Sequence, residues 1–282
     1  MSKNCIVCKS SKNKVVFKEF GIDILKCLNC KHVFSSYDIS QNNDAYYGAE
    51  SLKPEEHFWA DKAHKKMYNN FYNRFIIDKT GILLDLGCGL GYFLKEMSKF
   101  SSWETFGYDI SQQAVDYAKR QLGLKNIFHG RIQDSNFDKN SFDIITLCDV
   151  IEHLPNPDPL LAYSQSLLKK NGILFIHTPN IKNQLVKVKI KRLLKGMKAN
   201  IHYLEAKDHA NIYSMETLDI ILRRNGFSKI EFIHLRPIQS VSGSKSKFLS
   251  LIKNMWFYFS VILFWISFKK INFDNLFIIA KK

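Results

Sequence analysis

Residues 85–91 read Asp-Leu-Gly-Cys-Gly-Leu-Gly (DLGCGLG), and their setting decides the fold. Before them comes ILLDLG (82–87), an apolar run of strand length; after them comes YFLKEMSKF (92–100), which has helical periodicity. Glycines at 87, 89 and 91 let the backbone turn sharply and let a ligand approach the main-chain amides. The spacing is G-x-G-x-G with no Lys following, unlike the G-x-x-x-x-G-K-[ST] loop that cradles phosphates. TFGYDI (105–110) reads as the next strand and ends near Asp109, where an acidic side chain can accept both hydroxyls of a ribose.

Outward from this loop, strands and helices alternate. SQQAVDYAKRQLG is a helix with Ser111 as N-cap and Gly123 as stop. NIFHG (126–130), FDIITLCD (142–149) and ILFIHT (173–178) are strands, with a helix around DPLLAYSQSLLKK between the last two. A helix from Ser214 through METLDIILRRNGF, a strand KIEFIHL and a final NLFIIAKK complete the pattern. Strands separated by helices of this length predict an α/β fold, a Rossmann-like sheet of seven strands with helices on both faces. Residues 80–282 form this domain, preceded by a lid or helical linker at 37–79 and a small module at 1–36.

The 282 residues are 46% apolar and 24% charged, as in a globular chain. The start, MSKNCIVCKSSKNK, has no apolar core of signal-peptide length, so the expectation is a cytoplasmic protein whose cysteines are thiols or metal ligands. The net charge of +15 is unevenly placed: residues 1–181 hold 22 Lys+Arg against 20 Asp+Glu, and residues 182–282 hold 19 against 6. A basic surface of this kind favours anionic lipid, nucleic acid or an anionic substrate.

Four cysteines, Cys5, Cys8, Cys27 and Cys30, fall as C-x2-C, eighteen residues, C-x2-C. This is close to zinc-ribbon spacing, with VVFKEF and IDILKC as short strands between two knuckles. Four thiolates close the coordination shell, so the metal is expected to be structural and to supply folding energy.

DLGCGLGYFL, GYDIS and SFDIITLCDVIEHLPNPDPLL, taken in order, resemble the class I S-adenosylmethionine-dependent methyltransferases, in particular the branch whose fourth strand runs into an E-H-L segment. The resemblance implies that Gly87 and Gly89 line the methionine portion of the cofactor, that Asp85 organises its amino group, and that Asp109 with Ile110 takes the ribose. GRIQDSNF departs from the family's usual acidic segment, since Arg131 stands in place of its first acid. The adenine contact then falls to Ile132, Gln133 or Asp134, with Cys148 also facing the cofactor. Glu152 and His153, just past the fourth strand, are candidates for proton abstraction from an acceptor, and His209 in KDHANIYSMETL is another. At each, a bracing or loop-supporting role is the alternative. Asp149, Val150, Ile151 and Glu152 replace the [DN]-P-P-[YF] of enzymes that methylate exocyclic amino groups of bases, which disfavours that chemistry.

CKHVFSSYDISQNNDAYYGAE also resembles the zinc-ribbon leader that precedes methyltransferase domains acting on sugars in surface-polysaccharide and deoxysugar pathways. By that resemblance Tyr46 and Tyr47 belong to a lid, and the acceptor is a sugar hydroxyl of a surface glycan or a lipid-linked intermediate. A zinc-containing RNA methyltransferase, a quinone or lipid O-methyltransferase and a non-catalytic zinc module are the alternatives.

MWFYFSVILFWISF (255–268) has no charge, and the uncharged run from Asn254 is fifteen residues, about 22 Å as a helix. That falls short of the ~30 Å hydrocarbon core. NLFIIAKK must still insert beside its sheet partners, so the apolar insertion (248–268) either lies in the membrane interface, dips and returns, or packs on the protein. The basic amphipathic segment 182–198 places Val186, Ile190, Leu193 and Met197 on one helical face among lysines. This predicts peripheral contact with the inner face of an anionic membrane; Lys187, Lys189 and Lys191 also alternate as in an edge strand.

Overall fold

The computed structural model describes residues 3–38, 62–100, 102–198, 203–235 and 247–282. Tyr46 and Tyr47 lie outside them.

Seven strands form the main sheet. β4 (Gly81–Leu86), β5 (Trp103–Asp109), β6 (Ile127–His129), β7 (Phe142–Cys148) and β8 (Leu168–Thr178) run parallel; β10 (Lys229–Ile233) and β11 (Leu276–Lys281) complete it. The order across the sheet is β10-β11-β8-β7-β4-β5-β6, with β11 antiparallel to both neighbours. The strands alternate in which face each residue serves. Leu84, Ile145 and Leu174 join one core with α4 (Asp158–Leu167) and α6 (Met215–Arg224); Leu83, Ile144 and Phe175 join the other with α1 (Lys62–Phe75), α2 (Tyr92–Met97) and α3 (Gln112–Arg120). Because both faces are covered, these strands read as continuous apolar runs rather than as alternating ones.

The expected caps are present. The Ser111 hydroxyl accepts from the Ala114 amide, and Ser214 forms a reciprocal box with Thr217. Residues 181–195, which could alternate as a strand, are a helix, α5 (Ile181–Lys195), started by Asn180. Its anchoring residues Ile181 and Val188 recur at helical spacing against the core, which no extended backbone would allow. Met197 lies beyond the helix end and packs partly against the same cluster. The apolar C-terminal stretch forms α7 (Lys247–Ile266), and no helix among the described residues is long and apolar enough to cross a membrane.

The cysteine module is a second, four-stranded sheet: β1 (Asn13–Glu19), β2 (Ile22–Cys27), β3 (Val33–Ser35) and a strand supplied by the main domain, β9 (Asn211–Ile212). Val33 pairs with Ile212 and Phe34 with Asn211. The Glu19 carboxylate accepts from the Leu204 and Ala206 amides, and Arg224 donates to the Ile6 and Val7 carbonyls while gripping Asp158 with one guanidinium nitrogen. Cys5, Val7, Cys27 and Phe34 belong to the same buried cluster as the sheet. The module is therefore fused to the domain it precedes.

Candidate active site

The glycine loop is a turn that only glycine accommodates cheaply. Gly87 has φ +72°, and a Cβ there would stand 2.5 Å from Val150 Cγ2. Gly89 (φ +51°) donates its amide to Asp109 Oδ2 at 2.7 Å, while the Ser111 amide donates to Oδ1 at 2.8 Å. Asp109 thus ties the end of β5 to the loop after β4, and each carboxylate oxygen keeps a lone pair for a further donor. Burial pushes its pKa up, against the two amide bonds and His129.

Asp85, at the base of the loop, is buried and accepts from Thr146 Oγ1 at 2.6 Å. Burial raises its carboxyl to about 7, the Asp109 charge adds to this, and the Thr146 bond opposes it. A buried carboxylate that, among the described residues, has one short side-chain donor and no ion pair fits an incoming ammonium group. Asp85, Gly87, Gly89, Cys148 and Asp149 line one cleft together with Tyr68 of α1. Burial holds the Cys148 thiol well up, so it is neutral there. Ile110 is exposed, Ile132 is buried, and Gln133 and Asp134 are exposed in a single 3-10 turn over Ile132–Asp134; none of the four is among the residues lining that cleft. Another groove, lined by Lys95, Trp103, Glu104, Lys125 and Asn126, opens at the opposite end of the strands.

Beyond β7 the chain turns through Asp149, at φ +51°, into a 3-10 turn over Ile151–His153. Asp149 lies 3.1 Å from His177 Nδ1 at the end of β8. Burial alone would raise its carboxyl, but the His177 imidazole outweighs that and holds it low. Glu152 is buried and accepts from Thr178 Oγ1 at 2.9 Å; burial first, and then the Asp149 charge, push it well above the carboxylate range. Its bond to Thr178 ties the turn after β7 to the end of β8.

His153 is half-buried. Its Nδ1 lies 2.9 Å from the Asp208 carbonyl, which can only accept, so Nδ1 carries a proton. His209 packs edge-on against it, with ring centroids 4.9 Å apart, and bonds to Glu205 at 3.3 Å. Burial, with His153 nearby, lowers the His209 pKa to about 3, so this ring stays neutral. Glu152, His153 and His209 each offer an atom within 4.8 Å of the others. Sequence reasoning missed Asp149, His177 and Tyr68 as site residues. The His in ILFIHT, at the mouth of a core strand, was the one available signal.

The cysteine sulfurs converge. Cys5 and Cys30 are 3.5 Å apart, Cys8 and Cys27 are 3.4 Å apart, and all four lie within 4.8 Å of one another. Tetrahedral zinc with ~2.3 Å bonds sets sulfurs about 3.8 Å apart, so the set fits that ion. The two knuckles repeat one turn: the Lys9 amide donates to the Cys5 carbonyl and the Lys31 amide to the Cys27 carbonyl, both lysines having positive φ. Burial pushes the Cys5 and Cys30 thiols up; at Cys8 it is outweighed by the Ser10 amide and Cys27, which bring that thiol to about 7. Thiols crowded this way ionise together only beside a cation.

The knuckles reach the histidines through one side chain. His32 Nε2 meets Asn211 Oδ1 at 3.0 Å, and Asn211 Nδ2 donates to the Leu154 carbonyl at 2.7 Å, next to His153.

The family model described as "Methyltransferase domain" matches residues 58–231, more than half of the chain. Among curated proteins, the ubiquinone biosynthesis O-methyltransferase of Glaesserella parasuis is 35% identical over 120 residues, 38% of this chain and 50% of that one. That of Pelagibacter ubique is 35% identical over 101 residues, 35% of this chain and 42% of that one. This chain thus spans about half the length of the curated relatives it matches, or less. Among solved structures, a SAM-dependent methyltransferase from Archaeoglobus fulgidus aligns with a TM-score of 0.51 at 22% identity, covering 81% of this chain and 97% of that one. A phosphoethanolamine N-methyltransferase 2 from Haemonchus contortus, complexed with S-adenosylhomocysteine, aligns at 0.56 with 17% identity, covering 84% and 59%. At these identities the structures share the fold.

Proposed function

This chain belongs to the methyltransferase domain family, and from that premise we propose that it methylates a hydroxyl of a small acceptor, with S-adenosylmethionine as donor. When bound, the donor would supply a methyl carbon on a sulfonium, open to attack by the acceptor oxygen with the neutral thioether, S-adenosylhomocysteine, as leaving group. The glycine cradle at 87–91 would hold it, with Asp85 toward its ammonium and Asp109 toward its ribose. Ile110 and the Ile132–Asp134 turn would take its base. The observation that carries the reading is the place of His153, just past β7, with its Nδ1 held by the Asp208 carbonyl. Its ring would take the proton of an acceptor hydroxyl. His209, neutral and packed edge-on against that ring, supports it without adding charge. Holding the acceptor oxygen close and in line is the larger contribution.

For the acceptor, the four-cysteine leader favours a sugar hydroxyl of a surface glycan or a lipid-linked intermediate. Structural zinc in Cys5, Cys8, Cys27 and Cys30 belongs to this reading, since the sulfur spacing fits the ion. A second reading, a phenolic hydroxyl of a quinone precursor, is favoured by the names of the curated relatives.

The test is turnover with methyl-labelled S-adenosylmethionine on two acceptor sets, nucleotide- and lipid-linked sugars on one side and catechol-type quinone precursors on the other. Label in sugar supports the first reading and label in phenol the second. Transfer to neither, by protein that binds the donor, refutes the hydroxyl assignment. A complementary observation is surface glycan lacking one methylene in cells without this protein.

A further inference from the structure

Helix α7 shows its solvent side as most helices show their core side. At ~100° per residue, Leu251, Met255, Phe259, Ile262, Trp265 and Ile266 share an arc of about 120°, and all six are exposed, Trp265 at 61% and Ile266 at 69%. The opposite side seats the helix: Ser260 Oγ accepts from the Phe273 amide at 3.3 Å, and Phe264 packs edge-on against the His234 ring at 4.5 Å. An apolar outward arc of this size on a folded chain marks a contact surface.

Helix α5 has the same inversion, with charge added. Val186, Ile190, Leu193 and Leu194 are exposed opposite the buried Ile181 and Val188, Leu193 at 85%. On the helical wheel Lys182 and Lys189 flank this stripe on one side, Lys187 and Lys191 on the other. The start of α5 is tied to the chain that follows α7. Asn180, the cap of α5, donates to the carbonyls of Asn272 and Asp274, just past α7, at 2.9 and 3.0 Å. Lys187 is close enough to act on the Asp274 carboxyl.

We propose that α5 and α7 form a surface that seats this protein on a bilayer containing anionic phospholipid, with α7 lying in the interface and the α5 lysines at the headgroup phosphates. No described helix is long and apolar enough to cross a membrane. Moreover, β10 and β11, which bracket α7, are direct neighbours, Ile233 beside Phe277, so the excursion returns to the side it left. Charge selects lipid over a second copy: two α5 helices face to face would oppose lysine to lysine, whereas anionic headgroups neutralise them. The inference concerns the surface alone and stands whichever hydroxyl is methylated.

The experiment is flotation of the full chain, without methyl donor, with phosphatidylcholine vesicles and with vesicles containing about 30% phosphatidylglycerol. The expected result is flotation with the anionic vesicles, and quenching of tryptophan fluorescence when acyl chains are brominated. Ile262→Asp/Trp265→Asp lowers the bound fraction at least tenfold, as does Lys189→Glu/Lys191→Glu, with circular dichroism unchanged. Quenching in the unaltered chain needs no variant and reads insertion directly. Absence of both flotation and quenching overturns the proposal, as does unchanged flotation of the aspartate variant. A wild-type dimer that Ile262→Asp/Trp265→Asp converts to monomer overturns it too, and assigns the face to a second copy.

Discussion

Replacing Gly87 by Ala tests whether the cofactor turn works as described. The added Cβ stands 2.5 Å from Val150 Cγ2, and the backbone is held at φ +72°. The left-handed conformation costs an L-residue roughly 1–2 kcal/mol, and forcing a methyl into a filled site costs about 1–3 kcal/mol more. The sum is roughly 2–5 kcal/mol, or a fall in melting temperature of about 5–15 °C for a domain of this size. The strain falls on the loop proposed to hold the donor, so affinity for S-adenosylmethionine should drop as well. Val150→Ala removes the colliding methyl but leaves φ as it was. The double variant should therefore recover the packing part, about 1–3 kcal/mol, and not the backbone part. Scanning calorimetry and titration calorimetry on the four proteins of the cycle give both quantities. If Gly87→Ala melts within a degree of the parent and binds the donor equally, the turn has no role in binding. If Val150→Ala rescues nothing, the collision is not what costs stability.

Asp109→Ala removes the acceptor for the Gly89 and Ser111 amides and should weaken donor binding by about 100-fold, roughly two charge-assisted hydrogen bonds; equal binding refutes its role. Since the Asp85 carboxyl lies near 7 in the free protein, donor affinity should rise with pH up to about 7 and level off above it, because only the ionised form pairs with an ammonium. Asp85→Asn should flatten that profile in titrations from pH 5.5 to 8.5. Folding shifts the His209 pKa down to about 3 from an ordinary 6.5, so between these values the unfolded chain binds the extra proton. Its contribution to stability is full above 6.5 and declines as pH falls through that window; His209→Gln should lessen the acid sensitivity of the melting temperature. His153→Gln should lower kcat by about 10²–10⁴ while leaving donor affinity within a few-fold, as radiolabel turnover and calorimetry report. Chelation of the four-cysteine cluster should release one zinc per chain and lower the melting temperature, read by elemental analysis and calorimetry.

The sheet was legible because its strands are unbroken apolar runs set between helices with polar caps at Ser111 and Ser214. The glycine loop and the cysteine pairs were legible because their chemistry depends on spacing within a few residues. The partnership of Asp149 with His177 was not, since it joins residues 28 apart through the pairing of β7 with β8. Strand β9 was illegible for another reason. Two residues, Asn211–Ile212, carry no periodicity, and they are extended only because β3 lies beside them. In α7 the apolar residues outnumber what one buried side can use, so the pattern gave the helix but not which side faces outward.

The shared strand β9 has a consequence for how the chain comes off the ribosome. The knuckles are made first, yet the sheet they cap lacks its last member until residue 212 has emerged. Completion of the leader sheet therefore waits on the segment that follows His209. A nascent or truncated chain ending before that strand holds a half-finished leader with one edge open.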